Sequence, residues 1–418
     1  MSDRFRPTFP LIRTTALVVA AFGACAAAHA DADEELPLFL TLSQSVRHDS
    51  NFSRTEQARS DTVSVTSVGG GLNKAYGRQT YRLSGTLGAS RYRNFEYLKN
   101  DSKTVNGAFT SEFGRNFRLT LSGNYDQGLN PIQNNTAGGL TVVRNIRTLQ
   151  GQAASLQYGL GGRFSLVGSV DTNRQRFSVD EYKPRDIDQD SRGARILYNL
   201  TATVQWGVGV RRVETDYPNR NGEQVTDNNI DLQVGWQATG LSSLDATLSR
   251  RSSRYALSGR RLNSWVGALN WEFTPRGLIR YNVGLSRSTG SDRFSQRQSL
   301  LGLVFFDANY DYNTITTSLN LSARYQPTAK IGVTTAYSYA RYEVNRAATS
   351  RFDDGVVVDE GSRRTNSHFS QLSLGADYEV LRSLKVGCNV ARYDQTANYL
   401  RRAFSGHSYG CSANFTLD

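Results

Sequence analysis

Residues 325–339 read Tyr-Gln-Pro-Thr-Ala-Lys-Ile-Gly-Val-Thr-Thr-Ala-Tyr-Ser-Tyr. Pro327 and Lys330 mark a short polar turn, and from Ile331 onward the residues separate into two alternating sets. Ile331, Val333, Thr335, Tyr337 and Tyr339 form one set; Gly332, Thr334, Ala336, Ser338 and Ala340 form the other. Successive side chains of a strand point to opposite faces, so one face is β-branched and aromatic and the other small and polar. A soluble sandwich would accept one such strand. Recurrence of the unit decides the matter.

The same succession of aromatic, turn and alternating strand begins at Tyr76, Phe113, Tyr158, Tyr198, Trp236, Trp271 and Tyr378. Its spacing is too irregular for propeller blades or a solenoid. Longer polar segments such as Arg174–Ser191 and Asn345–Ser367 separate the copies. Short turns at one end, long loops at the other and aromatics at the strand ends describe a transmembrane β-barrel with short periplasmic turns and long extracellular loops. Each of the eight turns joins two strands; Leu38–Val46 adds a first and Phe404–Leu417 a last. The expectation is therefore an all-β, closed antiparallel barrel of eighteen strands over residues 38–418, with sixteen as the fallback. Ser291–Tyr312, with its apolar run Leu300–Phe306, admits three readings: a folded-in loop, a strand extension or a plug.

Residues 1–30 carry the marks of a cleaved signal peptide. Arg4, Arg6 and Arg13 precede an apolar stretch from Ala16 to Ala28, and Ala28-His29-Ala30 fits a signal-peptidase site. Residues 31–37 would then be a short periplasmic segment. Phe22-Gly23-Ala24-Cys25 is a poor lipidation motif, because Phe22 stands where Leu is usual. No run of about 18 apolar residues offers a transmembrane helix. Mean hydropathy is −0.48, while 21 Tyr, 19 Phe and 37 Gly accompany 8 Pro. That balance suits a barrel, whose outward face alone must be apolar, better than a soluble chain needing a thick core.

The net charge of +12 raises nucleic acid, anionic lipid and anionic polymer as partners. An exported, strand-rich chain without a basic helix excludes nucleic acid and leaves lipopolysaccharide phosphates at a solvated rim. The alternation directs Arg82, Arg118, Arg195, Arg211, Arg280, Arg324 and Lys385 inward, with Glu112, Asp126, Asp171, Asp231, Asp245, Glu272 and Asp377. The lumen is thus polar and mixed in sign. These residues either neutralise one another as cross-strand pairs or form a substrate ladder. Cys388 and Cys411 fall on outward positions symmetric about a turn near Tyr399 and Leu400. They form a cross-strand disulfide, which an exporting compartment permits, or remain two small apolar residues facing lipid. His48, His368 and His407 stand at loop margins, and no nucleophile elbow or metal-ligand spacing accompanies them. No enzyme activity, cofactor or metal is expected.

A first strand ending in Val46-Arg47-His48-Asp49-Ser50-Asn51-Phe52, followed by aromatic-turn-strand hairpins to the C-terminus, resembles the outer-membrane β-barrel porin family of the EpsL type, encoded with exopolysaccharide biosynthesis systems. The resemblance implies a barrel that helps exopolysaccharide leave the cell, working with a periplasmic polysaccharide-export protein. One departure is the end of the chain, Phe415-Thr416-Leu417-Asp418, where such barrels finish on an aromatic. Phe415 keeps the outward parity. The alternative from the residues alone is a stand-alone diffusion porin for small solutes, with Ser291–Tyr312 as its constriction.

Overall fold

The computed structural model describes residues 38–417 apart from 133–141, 221, 258, 276, 301–303, 354–355 and 399. The expected signal peptide over 1–30 and periplasmic segment over 31–37 lie outside these residues. Eighteen strands are described. They are β1 (Leu38–Asp49), β2 (Asp61–Tyr76), β3 (Gln79–Tyr92), β4 (Asn100–Phe113), β5 (Phe117–Leu129) and β6 (Ile146–Tyr158). Then come β7 (Phe164–Phe177), β8 (Ile187–Asn199), β9 (Val204–Tyr217), β10 (Glu223–Thr239), β11 (Ser242–Tyr255) and β12 (Arg261–Phe273). The series ends with β13 (Ile279–Leu300), β14 (Val304–Tyr325), β15 (Ile331–Phe352), β16 (Val357–Leu381), β17 (Leu384–Gln395) and β18 (Phe404–Leu417). Each strand pairs with its sequence neighbours, and β1 also pairs antiparallel with β18. The sheet is a closed antiparallel barrel of eighteen strands, as the turn count requires, and closure removes the free edge that a membrane would not tolerate.

The eight short turns all lie at one end, where β1 begins and β18 finishes. One of three two-residue connections joins Tyr76 to Gln79, with Gly77 at a φ of +57°, a conformation that two-residue hairpins demand of their first central residue. Register carries the apolar alternation around the wall. Leu42 faces Val68 and Phe415, Leu119 faces Leu156, Val208 faces Ile196 and Leu232, and Leu285 faces Leu269 and Leu319. Many of these side chains are exposed, Val208 and Ile196 among them, which is the outward face of a barrel bathed in lipid rather than water. Near the turns the aromatics pack in pairs: Phe164 with Tyr198 at 4.8 Å, Phe117 with Tyr158 at 5.0 Å, and Phe113 stacked on Phe117 at 5.3 Å. They form the girdle expected at a membrane boundary.

β13 to β15 are 22 residues long and β16 is 25, roughly twice the ~9–11 that a tilted strand needs to cross a bilayer. Ser291–Tyr312 is therefore strand, apart from 301–303: register holds from Ile279↔Tyr325 to Leu300↔Val304. The folded-in loop and the plug are overturned, and the strand extension stands. Asn345–Ser367 is likewise mostly paired strand rather than a long loop, since β15 and β16 run together to Arg351↔Val357. Backbone pairing needs no apolar face, and the β15 arm keeps one side covered, with Val344, Ala348 and Ser350 buried.

Cys388 and Cys411 are direct register partners on β17 and β18, and a disulfide joins them. The protein, isolated without reductant and denatured, is expected to show no reactive thiol at Cys388 or Cys411. Two titratable thiols would show that the bond does not form in the cell.

Candidate pore wall and mouth

The parity that turns Leu and Val outward turns the polar set toward the lumen. There the charges meet as cross-strand pairs. Arg118 reaches Glu112 at 2.5 Å, Arg211 reaches Asp231 at 3.1 Å and Arg280 reaches Glu272 at 3.4 Å. Arg324 makes a two-pronged contact with Asp377, at 2.9 Å for each oxygen, and Lys385 adds a third donor at 3.0 Å. Arg324 and Asp377 lie on β14 and β16, so the guanidinium must cross β15. It passes over Gly332, where any Cβ would collide with it. Arg195 instead bonds the Gln233 side chain. Asp126 accepts from the Thr104 hydroxyl at 3.2 Å, and Asp171 accepts from Asn173 at 3.3 Å. Arg82 and Asp245 have no ion-pair partner among the described residues. Solvated pairs of this kind contribute about 0–1 kcal/mol each; their larger effect is to cancel charge along the wall.

The buried part of the molecule lies at the other end, over the mouth. Asp49 ends β1 on the lumen side with no exposed surface. Its carboxylate accepts from Arg54 at 2.8 and 3.2 Å, from the Asn51 backbone N–H at 3.0 Å and from the Tyr393 hydroxyl. Arg54, in turn, lies 4.0 Å from the Tyr393 ring centroid and 5.5 Å from that of Phe404, both lumen-facing by register. Arg54 adopts a φ of 54°, a conformation that bulky residues adopt only when their surroundings impose it. The β1–β2 connection is thereby folded inward and fixed. Next to it, Phe52, Phe95 and Leu98 bury one another against Val63, Tyr92, Ile132 and Val142, joining three outer connections. Asp61, also without exposed surface, accepts backbone N–H bonds from Arg93, Asn94 and Phe95.

Two more connections lean over the opening. The 3-10 turn Asp180–Arg185 places Tyr182 6.0 Å from Phe177, and Asn219 ties that turn to the β9–β10 connection through Asp186 at 2.9 Å. Burial pushes the Tyr182 hydroxyl up, while Arg185 and, from the β17–β18 connection, Arg402 pull it down. Arg401 of that same connection lies 3.6 Å from the centroid of Tyr342 on the lumen side of β15. Several connections thus meet over the mouth. Sequence reasoning missed Arg54, Tyr393, Tyr182 and Arg401. Only the Asp-Ser-Asn turn at residues 49–51 gave a signal.

The histidines lie apart from one another's chemistry. His48 Nδ1 meets the Thr62 hydroxyl at 3.0 Å. His368 Nδ1 meets that of Thr396 at 3.3 Å, while its Nε2 stands 3.9 Å from Asp394, too far for a hydrogen bond.

A closed antiparallel barrel with an apolar outer belt and a polar lumen is the architecture of an outer-membrane protein, and that is the class this fold defines. Among solved structures, a ferric enterobactin receptor from Pseudomonas aeruginosa is similar over 92% of this chain and 82% of its own, at 8% identity and a TM-score of 0.46. The FrpB iron transporter from Neisseria meningitidis is similar over 92% of this chain and 83% of its own, at 10% identity and a TM-score of 0.46. No family model matches the chain and no curated protein matches it. The resemblance to the EpsL-type family is not carried by these comparisons.

Proposed function

We propose that the protein is an outer-membrane conduit through which exopolysaccharide leaves the cell. The observation that supports this most is the charge-cancelled lumen wall, where Arg324, Asp377 and Lys385, and likewise Arg211 and Asp231, spend their charges on one another. Apart from single charges such as Arg82, Arg195 and Asp245, what remains for a passing chain is mostly Ser, Thr, Asn and Gln. Such a wall offers a hydroxyl-rich polymer many weak, exchangeable hydrogen bonds and no strong anchor. Driving force would come from synthesis at the inner membrane, with a periplasmic export protein docking on the short turns. Arg115, Lys330 and Arg382 stand in those turns as docking charges. A diffusion porin for small solutes is the second reading, favoured by the narrowed mouth around Arg54 and Tyr182. Deleting the gene is expected to abolish surface exopolysaccharide and leave growth on small nutrients intact. Normal exopolysaccharide with impaired uptake of one small solute would overturn export in favour of the diffusion porin.

A further inference from the structure

The β12–β13 ladder runs only from Phe273↔Tyr281 to Gly267↔Arg287. β12 stays paired with β11 as far as Arg254↔Arg261, and β13 with β14 as far as Leu300↔Val304. On the loop side of Gly267 and Arg287 the wall therefore divides, and residues 261–266 of β12 lie unpaired from β13. Arg251 crosses the split from the lumen side, its Nη1 donating to the Thr289 carbonyl and hydroxyl at 3.4 and 3.3 Å while its Nη2 holds Asp227.

An unpaired edge is intolerable in hydrocarbon, so the split belongs at the level of the lipid headgroups. The outward residues agree. Below it stand Leu248, Leu269 and Leu285; at and above it stand Arg250, Arg254, Arg261 and Arg287, all exposed, with Trp265 55% exposed beside Arg250. Arg254 and Arg261 face each other directly, an arrangement that destabilises a sheet unless an anion lies between them. No carboxylate occupies an outward position of β10, β11 or β12. On the flanking strands the nearest outward carboxylates are Glu214, held by Arg212 at 2.7 Å, and Asp216 on β9, with Asp311 on β14. Among the described residues Arg287 gives one bond, to the Thr317 hydroxyl at 3.3 Å.

We propose that this divided seam seats a phosphorylated glycolipid of the outer leaflet. A phosphate bridges Arg254 and Arg261, Arg250 and Arg287 complete the cationic ring, and acyl chains lie along Leu248 and Leu285. Trp265 marks the boundary, the level that indole rings favour. The inference rests on the outer-membrane placement proposed above, and its occupant is fixed by charge complementarity and by depth.

The test is retention of bis-phosphorylated lipid A by the full-length protein in nanodiscs, read by native mass spectrometry. Dephosphorylated lipid A and inorganic phosphate serve as comparison ligands, and heat-modifiable gel migration certifies that each variant is folded. Arg254→Gln with Arg261→Gln is expected to weaken retention about tenfold, which is ~1.4 kcal/mol. Arg254→Lys with Arg261→Lys should restore most of it, and Arg174→Gln on β7 should leave it unchanged. Dephosphorylated lipid should bind the native protein as weakly as the double Gln variant binds lipid A. Equal retention by native and double Gln proteins overturns the seat; displacement by low inorganic phosphate overturns the lipid as its occupant and leaves a simple anion patch. A protein that stays soluble without detergent removes the outer-membrane placement itself, whereas a folded, inserted barrel that holds no glycolipid removes this inference alone.

Discussion

Leu285→Arg is expected to destabilise the barrel by about 2 kcal/mol, while Ser286→Arg, one residue on, leaves folding intact. Leu285 faces Leu269 and Leu319 across the outer wall and is exposed toward lipid. Arginine on a lipid face costs about 2–4 kcal/mol at the bilayer midplane and less toward the boundary. Arg287, the next outward residue of β13, places Leu285 toward that boundary, which selects the lower end of the range. Ser286 pairs with Ala268 and Ser318 on the lumen side, where an arginine meets water and no fixed cation. Denaturant titration of both variants in lipid vesicles measures the difference. Equal damage from the two substitutions would mean that the faces have been assigned wrongly, and the membrane reading would go with them.

That assignment was legible in the sequence because lipid imposes a strict period of two wherever a strand crosses it. Ile331, Val333 and Tyr337 against Gly332, Thr334 and Ser338 could be read without any structure, and so could all eight short turns. The period disappears where strands leave the membrane. Residues 291–300 and 345–352 pair as regularly as the belt does, yet beyond the lipid nothing enforces the apolar period that would have announced them. Parity also gives the face of a charge but not its partner. Arg324 and Asp377 are both inward by counting; that they join across β15 is decided by the missing side chain at Gly332. The end of the β12–β13 ladder left no sequence mark at all, because it follows from where a long hairpin diverges from a short strand. The lid over the mouth was hidden for another reason: Asp49 and Tyr393 come together only when β1 closes onto β18.

That closure contact carries the second large effect. Asp49→Ala is expected to cost about 3–5 kcal/mol, the penalty for stranding one member of a buried ion pair. Arg54, with its guanidinium on the Tyr393 ring and its backbone at a φ of 54°, has no other carboxylate acceptor among its described hydrogen bonds. The Asn51 N–H loses an acceptor as well. Both losses fall on the β1–β2 connection, whereas the β1–β18 ladder extends from Leu40↔Leu417 to Asp49↔Ser408 and stays in place. The connection is therefore expected to open locally while the barrel remains folded, as segments with few remaining contacts do. Hydrogen exchange over residues 50–60 should rise steeply in the variant and remain native-like in the ladder. Because this connection narrows the mouth, single-channel conductance in a planar bilayer should increase in parallel. Asp49→Asn, which keeps an acceptor oxygen for Asn51 but loses the charge that holds Arg54, should fall between the two. Unchanged exchange in 50–60 together with native conductance would mean that Asp49 does not hold the lid. Faster exchange with native conductance would mean that the lid is not what limits the opening.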